Sequence, residues 1–131
     1  MNCIEVSIGE LVDKWTILKI KSEMISDSEK LININKEKSY LYEKIVTIEG
    51  LINDDLSESL LNTNYSLWKV EEELRDLESK KTFDLLFISL ARRVYKLNDF
   101  RSEIKREINL KYKSNFVEEK SYKNVNNQLI S

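Results

Sequence analysis

The chain has 131 residues, 41% of them hydrophobic and 34% charged, with a formal net charge of -2. That is one domain's worth of sequence with enough apolar side chains for a core, and the near-balance of charge gives the whole molecule no pull toward nucleic acid or anionic membrane. Histidine and proline are absent, Cys3 is the one cysteine, and Gly9 and Gly50 are the only glycines, which excludes imidazole catalysis, a cysteine-histidine zinc site, an internal disulfide and glycine-rich phosphate loops.

No apolar run approaches the ~20 residues that cross a bilayer, and the first residues lack the basic start and apolar centre of a signal peptide. The cytoplasm is the expected location, with Cys3 a small packed side chain rather than a nucleophile.

In chain order, Ser7-Ile8-Gly9-Glu10 reads as a capping box that starts a first helix. Its apolar positions Ile4, Ile8, Leu11, Trp15, Leu18 and Ile25 recur at steps of three and four, broken by Ser22, and carry it to about Ile25. Ser26-Asp27-Ser28 then caps a second helix with the seam Leu31, Ile34, Lys38, Leu41, Ile45 and Ile48, closed by Gly50 in a left-handed conformation. Asp55-Leu56-Ser57-Glu58 resembles another capping box. The third helix follows with the seam Leu56, Leu60, Thr63, Leu67, Val70, Leu74 and Leu77, ending near Lys80 and Lys81.

The fourth helix, from about Phe83 to Tyr112, carries Phe83, Phe87, Leu90, Val94, Leu97, Arg101, Ile104 and Ile108 at the same spacing. A period of 3.5 in every helix predicts an all-α fold: an antiparallel bundle of about four long helices with left-handed, coiled-coil-like heptad packing. Residues 1–113 form the bundle, and 114–131 form a tail that folds back in part on Phe116, Val117 and Tyr122 and frays from Asn124 to Ser131. The fourth helix spans about 45 Å and the first about 27 Å, so the tail or a second subunit must cover the overhang; a homodimer is expected.

Charge is segregated along the chain. Residues 49–78 hold nine acids against Lys69 and Arg75, whereas residues 79–123 hold twelve bases against six acids, a pattern that predicts lateral pairing of neighbouring helices.

The string Ser7-Ile8-Gly9-Glu10-Leu11-Val12-Asp13-Lys14, with Thr16-Ile17-Leu18 after it, resembles the opening of the domain-of-unknown-function 6165 family. The likeness continues in Ala91-Arg92 with Val94-Tyr95, in Asn98-Asp99, Arg101 and Ile104-Lys105-Arg106 through Asn109, and in Val117-Glu118-Glu119-Lys120-Ser121-Tyr122. Trp15 departs from the smaller apolar residue more common there, and 38–64 carries no shared motif. The resemblance implies a compact helical bacterial protein and transfers no mechanism.

Arg101 is the most informative residue. A guanidinium that never deprotonates stands in an apolar seam, so either an internal carboxylate, Asp13 or Glu10, or a bound anion must satisfy it. Beside it, Ala91, Tyr95, Asn98, Ser102, Lys105 and Asn109 make a polar stripe facing Glu10, Asp13, Lys14 and Lys21 of the first helix. Gly9, among the first free amides of that helix, lets an anion or another backbone come close. The candidate ligand site is thus Gly9, Glu10, Asp13, Lys14, Tyr95, Asn98, Arg101 and Lys105, for a small anionic ligand or a protein partner and without a cofactor. The functional expectation is a non-enzymatic binding or assembly protein. The alternative is a magnesium-dependent all-α nucleotide phosphohydrolase using the acid pairs Glu10 with Asp13 and Glu73 with Asp76 as metal ligands. The basic run from Arg101 to Lys113 has Tyr112 as its only ring, so a nucleic-acid partner is not expected.

Overall fold

A computed structural model describes residues 2–121. Its helices are α1 (Ile8–Met24), α2 (Ser28–Ile45), α3 (Asp55–Ser79) and α4 (Leu85–Lys111), and the described residues contain no strand. Each helix starts where a short polar side chain can take up an orphan backbone donor: Ser7 accepts from Glu10 N, Asp27 from Glu29 N and Lys30 N, Asp54 from Leu56 N, and Asp84 from Phe87 N.

Three local expectations shift. Glu10 does not reach back to its cap; its carboxylate leaves for Lys105. Asp54, not Asp55, caps α3. Gly50 does have a left-handed backbone at φ 80°, but α2 stops at Ile45 and the residues to 53 form a chain of turns.

The seam of α3 and the end of the α4 seam fold inward as their spacing predicts, but Ile4 and Phe83 lie exposed outside the helices and α1 turns Val12 and Ile20 inward beside its expected seam. Val12, Ile45, Leu51, Leu60 and Ile108 form the fully buried core cluster. This cluster lies where the start of α1, the α2–α3 connection and the end of α4 meet. Leu18, Ile20, Leu67, Val70 and Leu90 continue the buried interior along the helices. On α1 and α4 the partner residues ascend on one helix while descending on the other: Gly9 with Asn109, Glu10 with Lys105, Asp13 with Arg101.

The helix α1 is the hub, touching α2, α3 and α4, whereas α2 packs against no other helix than α1 among the described residues. The two polar interruptions in the seams of α1 and α2 find each other, Lys38 Nζ lying 3.4 Å from Ser22 Oγ. Trp15 accounts for its size in the same interface, its ring 6.1 Å from that of Tyr42.

Both long helices end in the same device. Lys81 and Lys113 take left-handed φ values of 54° and 55°, and the amides beyond them, Thr82 N and Ser114 N, reach back to Leu77 O and Asn109 O at 2.9 and 2.7 Å. This six-to-one closure satisfies the last carbonyls and orders both turns.

Cys3 is exposed, not packed. Residues 114–121 lie against the bundle mainly through polar side chains: Phe116 is half-exposed and Val117 half-buried, while Ser114, Glu118, Glu119 and Lys120 bind the bundle. Tyr122 and Asn124 to Ser131 lie outside the described residues. No helix among the described residues is long and apolar enough to cross a membrane.

Candidate functional site

Gly9, Asp13 and Thr16 are spaced four and three apart and share the inner face of α1, while Arg101, Lys105 and Asn109 step by four along α4. Gly9 lets the two ridges meet. A Cβ there would sit 2.6 Å from Lys105 O and 3.0 Å from Asn109 Oδ1, so any side chain would push the helices apart. Of the two possibilities that glycine left open, the close neighbour is another backbone.

The orphan amides of Ile8, Gly9 and Glu10 at the start of α1 are taken. Ser114 Oγ accepts from Ile8 N at 3.0 Å, Asn109 Oδ1 from Gly9 N at 2.6 Å and Ser7 Oγ from Glu10 N at 3.1 Å. Glu118 completes this end, accepting from Ser7 Oγ at 2.6 Å and Asn109 Nδ2 at 3.0 Å. Burial raises the Glu118 carboxyl's pKa, but Ser7, a backbone amide, Lys105 and Asn109 together hold it below the ordinary value. The protein's own hydroxyl and amide oxygens, backed by the Glu118 carboxylate, thus fill the place where an anion would bind a helix start.

One turn deeper, Asp13 is 1% exposed and accepts three hydrogen bonds from two side chains. Its Oδ1 takes Arg101 Nε and Asn64 Nδ2, both at 2.9 Å, and its Oδ2 takes Arg101 Nη2 at 2.5 Å, with Lys105 Nζ 3.8 Å away. This is the bidentate fork for which a planar guanidinium is suited. Desolvation works against the ionised carboxyl, yet the hydrogen bonds from Arg101 and Asn64 and the charges of Arg101 and Lys105 hold its pKa below the usual carboxylate range. The hydrogen bond to Asp13 raises the Arg101 pKa in turn, against the opposing effect of burial. Lys105 also binds Glu10 Oε2 at 2.6 Å, and Asn64 Nδ2 donates to Thr16 Oγ1 at 2.8 Å, which itself donates to Asp13 O at 2.7 Å.

The chemistry of this arrangement is that of a lock. Among the described residues the only buried side-chain polar atom lacking a hydrogen-bond partner is Trp68 Nε1, so the network itself is complete. Of the predicted residues, Gly9, Glu10, Asp13, Arg101 and Lys105 come together. Lys14 stands at the rim, 4.0 Å from Glu10, Asn98 is half-buried, and Tyr95 is 66% exposed and does not join.

The bases of α4 divide their partners: Lys111 pairs with Asp54, the cap of α3 and one of the acids of 49–78, as the charge split suggested, whereas Arg101 and Lys105 pair with α1 and Arg106 with Glu119. Glu73 and Asp76 lie on the exposed stretch of α3, Asp76 paired with Lys80. Among the described residues no three acidic, histidine or cysteine side chains gather to hold a metal ion. The cleft between α4 and the tail, lined by Lys105, Arg106, Glu118 and Glu119, has about 200 Å³, below the ~300 Å³ at which ligand pockets begin.

Sequence reasoning missed Asn64, Thr16, Asp99, Ser114 and Glu118. Asn64 had a signal, because Ser57, Leu60, Asn64 and Leu67 are spaced three, four and three and are all buried. Glu118 had none, being 111 residues from Ser7.

At the opposite end, α1 is too short to follow α4. Counting from the pair Asp13 and Arg101, Met24 reaches about the level of Leu90. Beyond it the apolar side chains lie open: Leu85 is 82% exposed and Phe83, Leu86 and Ile88 are more than half exposed.

No curated protein and no solved structure matches the chain. The match that exists covers residues 2–129, nearly the full length that carries both the polar lock and the exposed end, and by it the chain belongs to the family of unknown function DUF6165.

Proposed function

We propose that this protein is a non-enzymatic assembly protein, in which the polar residues between α1 and α4 hold the bundle together and the apolar end of the α3–α4 hairpin binds a protein partner. The observation that carries the reading is that end itself. Four large apolar side chains stand in solvent on a turn ordered by its own hydrogen bonds and by the edge-to-face contact of Phe83 with Phe87 at 5.2 Å. Burying each such side chain is worth about 1.5–3 kcal/mol, a large driving force for association on a rigid platform.

A small anionic ligand at Arg101 is the weaker use of the same fold, because the Nε and Nη2 donors already serve Asp13. The magnesium-dependent phosphohydrolase reading is weaker again, since Glu10 and Asp13 are committed to Lys105 and Arg101. A homodimer, expected from the length mismatch of the helices, uses the same exposed end.

The test is photo-crosslinking of the full chain in cell extract, with the reactive group at position 86 or at position 14. Covalent protein adducts of defined mass from position 86 and none above background from position 14 are expected. The reverse pattern, or release of phosphate from nucleoside triphosphates with magnesium by the purified chain, contradicts the reading.

A further inference from the structure

Two cations interrupt the apolar seams, and they are satisfied differently. Arg101 finds Asp13, whereas Lys38 is half-buried on α2 with the Ser22 hydroxyl 3.4 Å from its Nζ. Among the described residues no carboxylate lies within 4.0 Å of that ammonium. The Glu23 carboxyl is lowered in pKa chiefly by hydrogen bonds from Tyr65 and Lys19, and the charge of Lys38 adds to this only from beyond contact. An ammonium carries three donors, and the protein supplies this one with a single long hydrogen bond.

Lys38 lines a cleft between α1 and α2 of about 350 Å³, within the ~300–1,000 Å³ of small-molecule sites. The other lining side chains are Trp15 and Lys19 of α1 and Ser39, Tyr42 and Glu43 of α2. A second cleft of about 370 Å³, also lined by Trp15, has its buried polar groups engaged, Asp54 by Lys111 and Tyr112 and Ser57 by Leu51 O.

Helix spacing sorts the groups of the first cleft. From Lys38 up to Tyr42 on α2, the partners descend α1 from Ser22 to Trp15. Lys19 turns its ammonium toward Glu23, and so toward the Lys38 end. That end is cationic. The Trp15 and Tyr42 rings, with centroids 6.1 Å apart, form an aromatic wall beyond it. Glu43 stands at the far end, five residues or about 7.5 Å along α2 from Lys38.

We propose that this cleft binds a small aromatic carboxylate with a hydrogen-bond donor at its far end: the carboxylate on Lys38 and Lys19, the ring against Trp15 and Tyr42, the donor on Glu43. The site is separate from the apolar end of the α3–α4 hairpin and does not depend on what that end binds. A second negative charge at the far end meets Glu43, which disfavours nucleotides and other polyanions, and a simple cation meets two ammonium groups.

Isothermal titration calorimetry of the full chain with 4-hydroxyphenylacetate tests it. One-to-one binding with a Kd below about 1 mM is expected. Phenylacetate, which lacks the donor, is expected to bind about threefold or more weakly, and 4-carboxyphenylacetate, with an anion in its place, more weakly still. Lys38→Met is expected to weaken binding at least ~10-fold while leaving the melting temperature of the free chain unchanged or higher, because no internal carboxylate is stranded. Tyr42→Ala, at an exposed ring, is expected to weaken binding about threefold to tenfold. A Kd above about 1 mM for 4-hydroxyphenylacetate, or equal binding by Lys38→Met, overturns the proposal. So does a loss of more than about 5 °C in the melting temperature of the free Lys38→Met chain, since the ammonium would then have a partner inside the protein.

Discussion

The two ends of this bundle invert the usual relation between polarity and burial. At the end where α1 begins and α4 finishes, the chain is densely charged, yet its most buried acids are paired: Asp13 with Arg101, Glu10 with Lys105, Asp54 with Lys111, Asp99 with Lys120. At the other end the chain is apolar, yet Leu85, Leu86 and Ile88 stand in water. The comparison teaches that charge here builds the interior and hydrophobicity makes the surface available. The closed end is closed because its buried polar side chains have partners of matched geometry, and the open end is open because α1 runs out before α4 does.

The largest expected effect breaks the closed end. Arg101→Met leaves the buried Asp13 carboxylate without its fork, and urea unfolding should show a loss of about 3–5 kcal/mol. A loss below about 1 kcal/mol would mean that the guanidinium is dispensable to the fold. Next comes Gly9→Ala, where a methyl group would meet Lys105 O at 2.6 Å and force α1 away from α4. The expected cost is about 1–3 kcal/mol by thermal unfolding, and an unchanged melting temperature would contradict the close approach.

Acid should loosen the same end more than the other. Asp13 and Asp54 both have folded-state pKa values below their unfolded values, Asp54 held at about 2 by hydrogen bonds from Lys111 and Tyr112. Groups shifted down contribute stability that is complete above about pH 4 and is lost as the pH falls through the folded values. Hydrogen exchange between pH 4 and pH 2 should therefore accelerate first around Ile8 to Thr16, and Asp54→Asn should shrink the acid-induced loss. The smallest effect is a gain: Lys81→Gly relieves a left-handed lysine at the turn that presents the open end, and should raise stability by up to about 1 kcal/mol without altering association.

Much of the fold was legible because helix periodicity is local. Leu60, Leu67 and Val70 are buried where their spacing put them, and the caps at Ser7 and Asp27 follow from side-chain chemistry one turn away. The site was half legible. Arg101 announced itself by standing in an apolar seam, and Asp13 was named among its possible partners; the choice between an internal carboxylate and a bound anion needed the geometry of α1 against α4. Asn64 was hidden by the seam assigned through Thr63, its direct neighbour. Glu118 and Ser114 were beyond reach, since the tail was expected to anchor by the apolar Phe116, Val117 and Tyr122, and these two polar side chains find partners more than 100 residues away. Tyr95 was misplaced for the opposite reason: it shares a stripe with Lys105 and Asn109, but the stripe curves out of the α1 interface before reaching it.

The most direct measurement is a double-mutant cycle by urea unfolding on Asp13→Ala, Arg101→Ala and the pair. If the two side chains serve each other inside the bundle, each single change is costly and the double change costs less than their sum, with a coupling of about 2–3 kcal/mol. Losses that add to within about 0.5 kcal/mol would mean that Arg101 and Asp13 act independently, and that the polar residues between α1 and α4 have a task other than holding the two helices together.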